Sequence, residues 1–271
     1  MSYKPEKILE GAPNARDLGG IKTKDGAAVR AGRLIRSGPI HEITDDDKRY
    51  LQNTGLNKVI DFRAEQEKSR RMDVILPGVE YIDCPIIDSR AIGITQELPR
   101  DGDALAEYYV GAAAGINERG GGAVNMCRMY SSFMEKEFAL EHYRQFFDIL
   151  LSNEKGAALY HCTMGKDRVG AGTALLLTAL DVHRDDIYED YLYTKVRLNE
   201  LSLELIERCR KFTDDEAILD TIYAMDTVDV SYLNAVFSAM ESISGSTEIF
   251  MRDYLGITDN KRDILRNLYL Q

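Results

Sequence analysis

An α/β fold with an α-rich second half is predicted here on three observations. Short β-branched runs at Arg33–Arg36, Lys58–Phe62, Val79–Ile87 and Ala157–Cys162 read as strands. Helical patterns separate them and then fill the chain from about residue 131 onward. The last strand reads as a buried one that ends at a tight turn, followed by a helix of small residues.

Between the first two strands a helix is well marked. Thr44 caps it, Asp45, Asp46 and Asp47 suit its positive N-terminal end, and Gly55 closes it. The three aspartates read as a solvated first turn rather than a metal cluster. In the second half, helices are predicted over Ser131–Ser152, Val169–Leu180, Asp185–Cys209, Asp214–Ala224 and Ser231–Ser244, with two short closing segments. The stretch from Ser89 to Asn125 fits neither strand nor helix and reads as an insertion, either a surface excursion or a lid over a site.

The 271 residues carry 34 Lys+Arg against 45 Asp+Glu, a net charge of −11. That balance excludes an extended nucleic-acid surface and a broad basic membrane face, because phosphates would be repelled. The longest uncharged apolar run, Val169–Leu180, is too short for the ~20 residues a membrane span needs. The N-terminal stretch lacks a signal peptide's apolar segment, so a cytoplasmic location is expected. Cys84, Cys127, Cys162 and Cys209 lie far apart, with no Cys-x-x-Cys pair, which speaks against a disulfide framework or structural zinc. His41, His142 and His183 read as ordinary solvated histidines, and Tyr108, Tyr109 and Tyr130 as core or lid packing.

Chemistry concentrates in the segment Leu159 to Gly170, which includes His161-Cys162-Thr163-Met164-Gly165-Lys166-Asp167-Arg168. A loop between a strand end and a helix N-terminus points several backbone N–H groups inward and adds the positive end of the dipole, which makes an anion cradle. Thr163, Met164, Gly165, Lys166 and Asp167 would form it, with Gly165 free to take a conformation closed to other residues. A thiol at its base, Cys162, should ionise readily. Arg168 can grip two phosphate oxygens as a planar fork. Together these suit in-line attack on a phosphoester. His161 adjoins Cys162 on a strand, so their side chains point to opposite faces; His161 is expected to organise the loop from behind rather than act as a base.

The same residues resemble the atypical bacterial tyrosine phosphatases with a His-Cys-x-x-Gly-Lys-Asp-Arg signature, whose known members include secreted mycobacterial and listerial enzymes acting on phosphotyrosine and phosphoinositides. Asn14-Ala15-Arg16-Asp17-Leu18-Gly19-Gly20, Arg33-Leu34-Ile35-Arg36-Ser37, Val59-Ile60-Asp61-Phe62-Arg63 with Glu65 or Glu67, and Tyr254-Leu255-Gly256-Ile257-Thr258 with Leu265-Arg266 extend the resemblance over nearly the whole chain. It implies a cysteine-phosphatase α/β fold, a central mostly parallel sheet flanked by helices, in a single phosphatase domain over 1–271 with the insertion at about 89–125 as a lid. It also implies Cys162 as nucleophile, Arg168 as phosphate clamp, and Lys166 with Asp167 as the loop's distinctive pair. Lys166 is expected at the pocket rim, where a flexible point charge suits a second phosphate. Asp167 would hold the clamp or take part in proton transfer.

A general acid must protonate the leaving oxygen. Asp88, just after the strand Val79–Ile87, best matches the family position, and Asp83 competes. Asp61 and Arg63 are expected to tie the Arg16-Asp17 loop to the site. Val169 departs from many related phosphatases, which carry Ser or Thr after the clamp arginine; Thr163 is the candidate substitute. No cofactor and no metal are expected. The expected substrates are phosphorylated proteins or phosphoinositides and inositol phosphates, with no nucleic acid and no stable membrane insertion. The competing reading is a pseudo-phosphatase that binds phosphate without cleaving it.

Overall fold

The computed structural model describes residues 5–88 and 102–271. Strands β1 (Arg16–Asp17), β2 (Leu34–Ser37), β3 (Leu56–Asp61), β4 (Glu80–Asp83) and β5 (Ala157–His161) form one sheet in the order β1-β2-β5-β3-β4. All neighbours are parallel except β1 with β2. The expected mostly parallel sheet flanked by helices is therefore what the chain forms. β5 arrives late in the chain yet sits at the centre, and all five of its residues are buried. That is why Ala157–Tyr160 run without polar alternation, with the polar His161 only at the strand's end.

Side-chain alternation along β5 divides the two faces. Ala157 and Leu159 join one apolar cluster with Ile35, Val59 and Leu51 of α1 (Asp45–Asn53). Ala158, Tyr160 and Cys162 join the larger cluster on the other face, built from the helical half. There α6 (Asp167–Ala179) runs almost entirely buried, with α4 (Gly121–Glu135), α5 (Glu137–Leu151) and α9 (Val230–Ser244) around it. The 26-residue α7 (Arg184–Cys209), with α3 (Gly102–Asn117) and α8 (Glu216–Asp226), makes a third cluster, and α10 (Thr247–Asp253) and α11 (Asp259–Tyr269) close the chain. A short α2 (Glu65–Arg70) follows β3. Among the described residues no helix is long and apolar enough to cross a membrane.

Four elements differ from expectation. The helix expected over Ser131–Ser152 is two helices, broken at Lys136, whose backbone is extended (φ −92°, ψ 124°). The apolar stripe of α4 packs on α8 and α9, whereas α5 turns Phe146 and Tyr143 against Phe62. One straight helix could not serve both partners. Within the insertion, residues 102–117 and 121–125 are helical, belonging to α3 and α4; 89–101 lie outside the described residues. β4 stops at Asp83, well short of Ile87, although the Cys84 and Ile86 N–H groups still donate to the Asp61 and Phe62 carbonyls of the β3 end. Finally, Asp47 is not solvated. Only 3% exposed, it closes the capping box with Thr44 and accepts the N–H groups of Glu10 and Gly11 at 2.8 Å, pinning the N-terminal segment to α1. Asp45 and Asp46 remain at the surface.

Candidate active site

The loop Cys162–Lys166 leaves the C-terminal end of β5 and enters α6 at Asp167. Gly165 is left-handed (φ 62°), and a Cβ there would lie 2.4 Å from the Ser37 carbonyl carbon, so both the turn and the close approach to β2 exclude any other residue. Its carbonyl accepts Asn14 Nδ2 at 2.7 Å and Arg36 Nη2 at 2.9 Å. Arg36 Nη1 in turn donates to Asp190 at 2.5 Å, and Arg16 Nε donates to the other Asp190 oxygen at 2.8 Å. Burial opposes ionisation of Asp190, but the two guanidinium groups outweigh it and hold the carboxyl below its ordinary range. Asn14, Arg16 and Arg36 thus form a buried polar floor beneath the loop, closed by α7. α6 comes so close to α7 that a Cβ on Gly170 would meet the Tyr191 ring at 2.9 Å.

Cys162 lies fully buried at the base of this loop, on the face opposite His161. Arg168, on the first turn of α6, is held by Glu67 of α2: Nη1 donates to Oε2 at 2.7 Å and Nη2 to Oε1 at 2.8 Å. This fork-to-fork pairing uses the Nη1/Nη2 edge of the guanidinium and turns the Nε/Nη2 edge away from Glu67. Burial works against the Glu67 carboxylate, yet the charge and hydrogen bonds of Arg168, with those of Thr163 and the Ala64 N–H, bring it down to about 2. Of the two glutamates that the motif leaves open, Glu67 is the one that meets the site; Glu65 pairs with Lys68 at 2.9 Å. The signal was the helix start itself, since Glu67 also caps α2 through the Ala64 N–H at 2.8 Å.

Other residues are placed differently from expectation. Lys166 is not at the rim. It is 2% exposed, and its ammonium donates to the Met225 carbonyl at 2.8 Å and the Thr227 carbonyl at 3.3 Å, with Asp167 at 3.1 Å. Two of its contacts serve the turn between α8 and α9, which lies some sixty residues away and carries no local cue. Asp167 is buried and accepts the Tyr130 hydroxyl at 2.7 Å; Tyr191 donates to Tyr130 at 2.8 Å. Tyr130 therefore joins α4 to the loop as well as packing in the core. Thr163 donates its hydroxyl to Glu67 at 2.7 Å, so that proton is already committed, while Val169 lies fully buried.

Asp61 and Arg63 do not reach the Arg16-Asp17 loop. Arg63 bridges Asp61 and Asp73, at 2.8 and 2.7 Å, and Asp73 stands 3.1 Å from Nε2 of His161. Burial disfavours the Asp73 carboxylate, but His161, Arg63 and the Ile40 N–H lower its pKa below the ordinary value. His161 thus braces the loop from behind, through Asp73. Asp61, Asp73 and His161 bring three potential ligand atoms within 4.8 Å of one another. The Arg63 guanidinium, bonded to both carboxylates, supplies the positive charge a metal would, and the set does not fit a cation. Asp83 is engaged by Lys68 at 2.8 Å. Asp88 lines a small crevice with Ile86, Met129, Phe133 and Phe138, in which no residue of the Cys162 loop takes part.

The loop opens onto a groove of about 640 Å³ lined by Thr163 and Met164 on one side and by α7 and the N-terminal segment on the others. His41, expected in solvent, lines it with its side chain only 14% exposed. Burial, with a smaller contribution from Arg71, lowers its pKa, against the opposing pull of Glu42.

Cys84, the one other thiol near the sheet's active end, donates to the His142 carbonyl at 3.0 Å. The ladder aligns Cys84 with Phe62 and Phe62 with Cys162, so the two cysteines stand two strands, about 10 Å, apart, beyond the ~7 Å between Cα atoms that a disulfide spans.

Residues 7–271 match the family model described as the tyrosine phosphatase family. A Cupriavidus necator protein assigned as a tyrosine-protein phosphatase is 30% identical over 248 residues, covering 90% of this chain and 82% of the relative. The triple specificity protein phosphatase PtpB of Mycobacterium tuberculosis is 25% identical, covering 97% and 98%. A tyrosine-protein phosphatase of Nostoc commune is 24% identical over 60% of this chain and 49% of its own. With its buried cysteine, its braced arginine and a match from end to end, the chain belongs to the tyrosine phosphatase family and is a phosphatase.

Proposed function

We propose that the protein hydrolyses phosphotyrosine by covalent catalysis at Cys162. The observation that carries this is the pairing of Arg168 with Glu67, which fixes the guanidinium beside the cysteine loop with its Nε/Nη2 edge turned from Glu67. The Cys162 thiolate attacks phosphorus; the S–P bond forms as the bond to the phenolic oxygen breaks. The backbone N–H groups of Thr163–Lys166 and the N-terminal end of α6 stabilise the equatorial oxygens, with Arg168 bridging two of them. Water then attacks phosphorus, the S–P bond breaks, and phosphate leaves.

Asp88, which follows β4 and matches the family position of the acid, gives the leaving oxygen its proton in this reading. The inward turn of Lys166 removes the rim charge that favoured phosphoinositides, so phosphotyrosine is the better supported substrate. The name of the mycobacterial relative, triple specificity, keeps other phosphoesters in the test. Initial rates on a phosphotyrosine peptide, a phosphoserine peptide and a set of phosphoinositides, with wild type and Cys162→Ser, decide it. Turnover of the phosphotyrosine peptide that vanishes in Cys162→Ser is expected. Full activity in that variant would sink the mechanism, and no turnover on any ester would make the protein a phosphate-binding module.

A further inference from the structure

We infer that Arg71 reads an acidic side chain flanking the phosphotyrosine of a peptide laid along the groove beside the cysteine loop. The inference deepens the phosphatase reading and rests on it. Arg71, Thr163 and Met164 line one continuous groove, so a chain whose phosphate enters the loop continues past Arg71. The position of Arg71 is built, since its carbonyl accepts Arg63 Nη1 at 2.8 Å and Arg63 is locked to Asp61 and Asp73. The network that braces His161 thereby also sets where Arg71 stands.

Its guanidinium, by contrast, makes no salt bridge or side-chain hydrogen bond among the described residues. The other basic residues of the groove are engaged. Lys7 pairs with Glu10 at 2.5 Å, and Arg197 donates to the Pro5 carbonyl at 2.9 Å while lying 5.3 Å over the Tyr193 ring. One uncommitted guanidinium beside an anion-cleaving loop matches one further carboxylate.

A peptide fits better than a polyphosphorylated headgroup. Glu10, Glu42 and Glu200 line the same groove. They would repel a headgroup carrying several phosphates, whereas a peptide brings a single carboxylate to Arg71 and neutral backbone past the glutamates. Met72, beside Arg71 and 78% exposed, and Val196 of the groove wall, 69% exposed, offer apolar contact to the peptide's other side chains.

The test compares two phosphotyrosine peptides alike except for glutamates or alanines on both sides of the phosphotyrosine. The wild-type kcat/KM should favour the glutamate peptide about three- to tenfold, the size of a partly exposed Arg–carboxylate contact. Arg71→Glu should reverse the ratio and favour a lysine-flanked peptide; Arg71→Lys should keep part of the original preference. Because each ratio is taken within one variant, a general loss of folding or activity cancels. Equal rates for the two peptides in wild type, or an unchanged ratio in Arg71→Glu, would overturn the inference. So would a soluble inositol polyphosphate turned over faster than either peptide and lost in Arg71→Glu. Failure of the phosphatase reading looks different: neither peptide is hydrolysed. The same ratios, read as affinities of Cys162→Ser for the peptides, still judge Arg71 in that event.

Discussion

Replacing Glu67 with Gln removes the charge that holds Arg168 while preserving the shape of the side chain. The carboxyl drops from 4.5 to about 2 in the folded chain. At ~1.36 kcal/mol for each tenfold change in the proton equilibrium, that is about 3 kcal/mol of stability at pH 7. With only 11% of the Glu67 side chain exposed, solvent screening discounts little of it. The folded value is the lower one, so this stability is complete above the unfolded value of 4.5 and disappears as pH falls towards 2. Urea unfolding of wild type and Glu67→Gln should therefore differ by about 3 kcal/mol at pH 7, and the gap should narrow by about 2 kcal/mol at pH 3. A guanidinium released from its brace also costs orientation, and kcat/KM should fall about a hundredfold. A gap under ~1 kcal/mol at pH 7, or one that does not move between pH 7 and pH 3, would refute the assignment of Glu67 as the partner that fixes the clamp.

With Val169 after the clamp and the Thr163 proton given to Glu67, breakdown of the phosphoenzyme should be slow; rapid mixing with a fast-leaving aryl phosphate should show a burst near one equivalent, and Val169→Ser should shrink it and raise kcat. Asp88→Asn should abolish the high-pH limb of the kcat profile and lower rates more for poor leaving groups than for good ones; a profile like wild type would remove Asp88 from proton transfer. Lys166→Ala strips the cation from Asp167 and the donor from two carbonyls, and should cost about 3–5 kcal/mol on chemical denaturation. Its loss of activity should be uniform across mono- and polyphosphorylated substrates, and a loss confined to polyphosphates would return Lys166 to the rim.

What the sequence made legible is what short-range chemistry decides. The strand entering Cys162, the Thr44 cap, the small-residue helix and the need for glycine at 165 all follow from neighbours in the chain, and all are present. A lysine beside an anion site reads as a lysine facing it, whereas the acceptors of Lys166 are carbonyls at 225 and 227. In sequence Asp47 is one of three equal aspartates, and only the fold brings it to the N–H groups of residues 10 and 11. Arg63 turns to Asp61 and Asp73 instead of the Arg16-Asp17 loop, and Arg16 takes Asp190, deep in a helix where nothing nearby marks that carboxylate as a partner. The break at Lys136 escaped because both flanking segments have good helical periodicity, and only their separate packing partners show why they part.

The floor under the loop has a consequence for how the protein becomes active. It joins Asn14 to Gly165 across 151 positions and Arg16 to Asp190 across 174. Most helices, in contrast, close through neighbours a few residues apart. Contacts of long sequence separation are paid for in chain entropy before they return anything, so they form late. On refolding, helical circular dichroism should recover first and hydrolytic competence should lag behind it. During synthesis the first segment made must wait for α7 before the cysteine loop has its support, so a nascent chain released before residue 190 should hold a well-formed β5 beneath a loop that cannot yet bind phosphate.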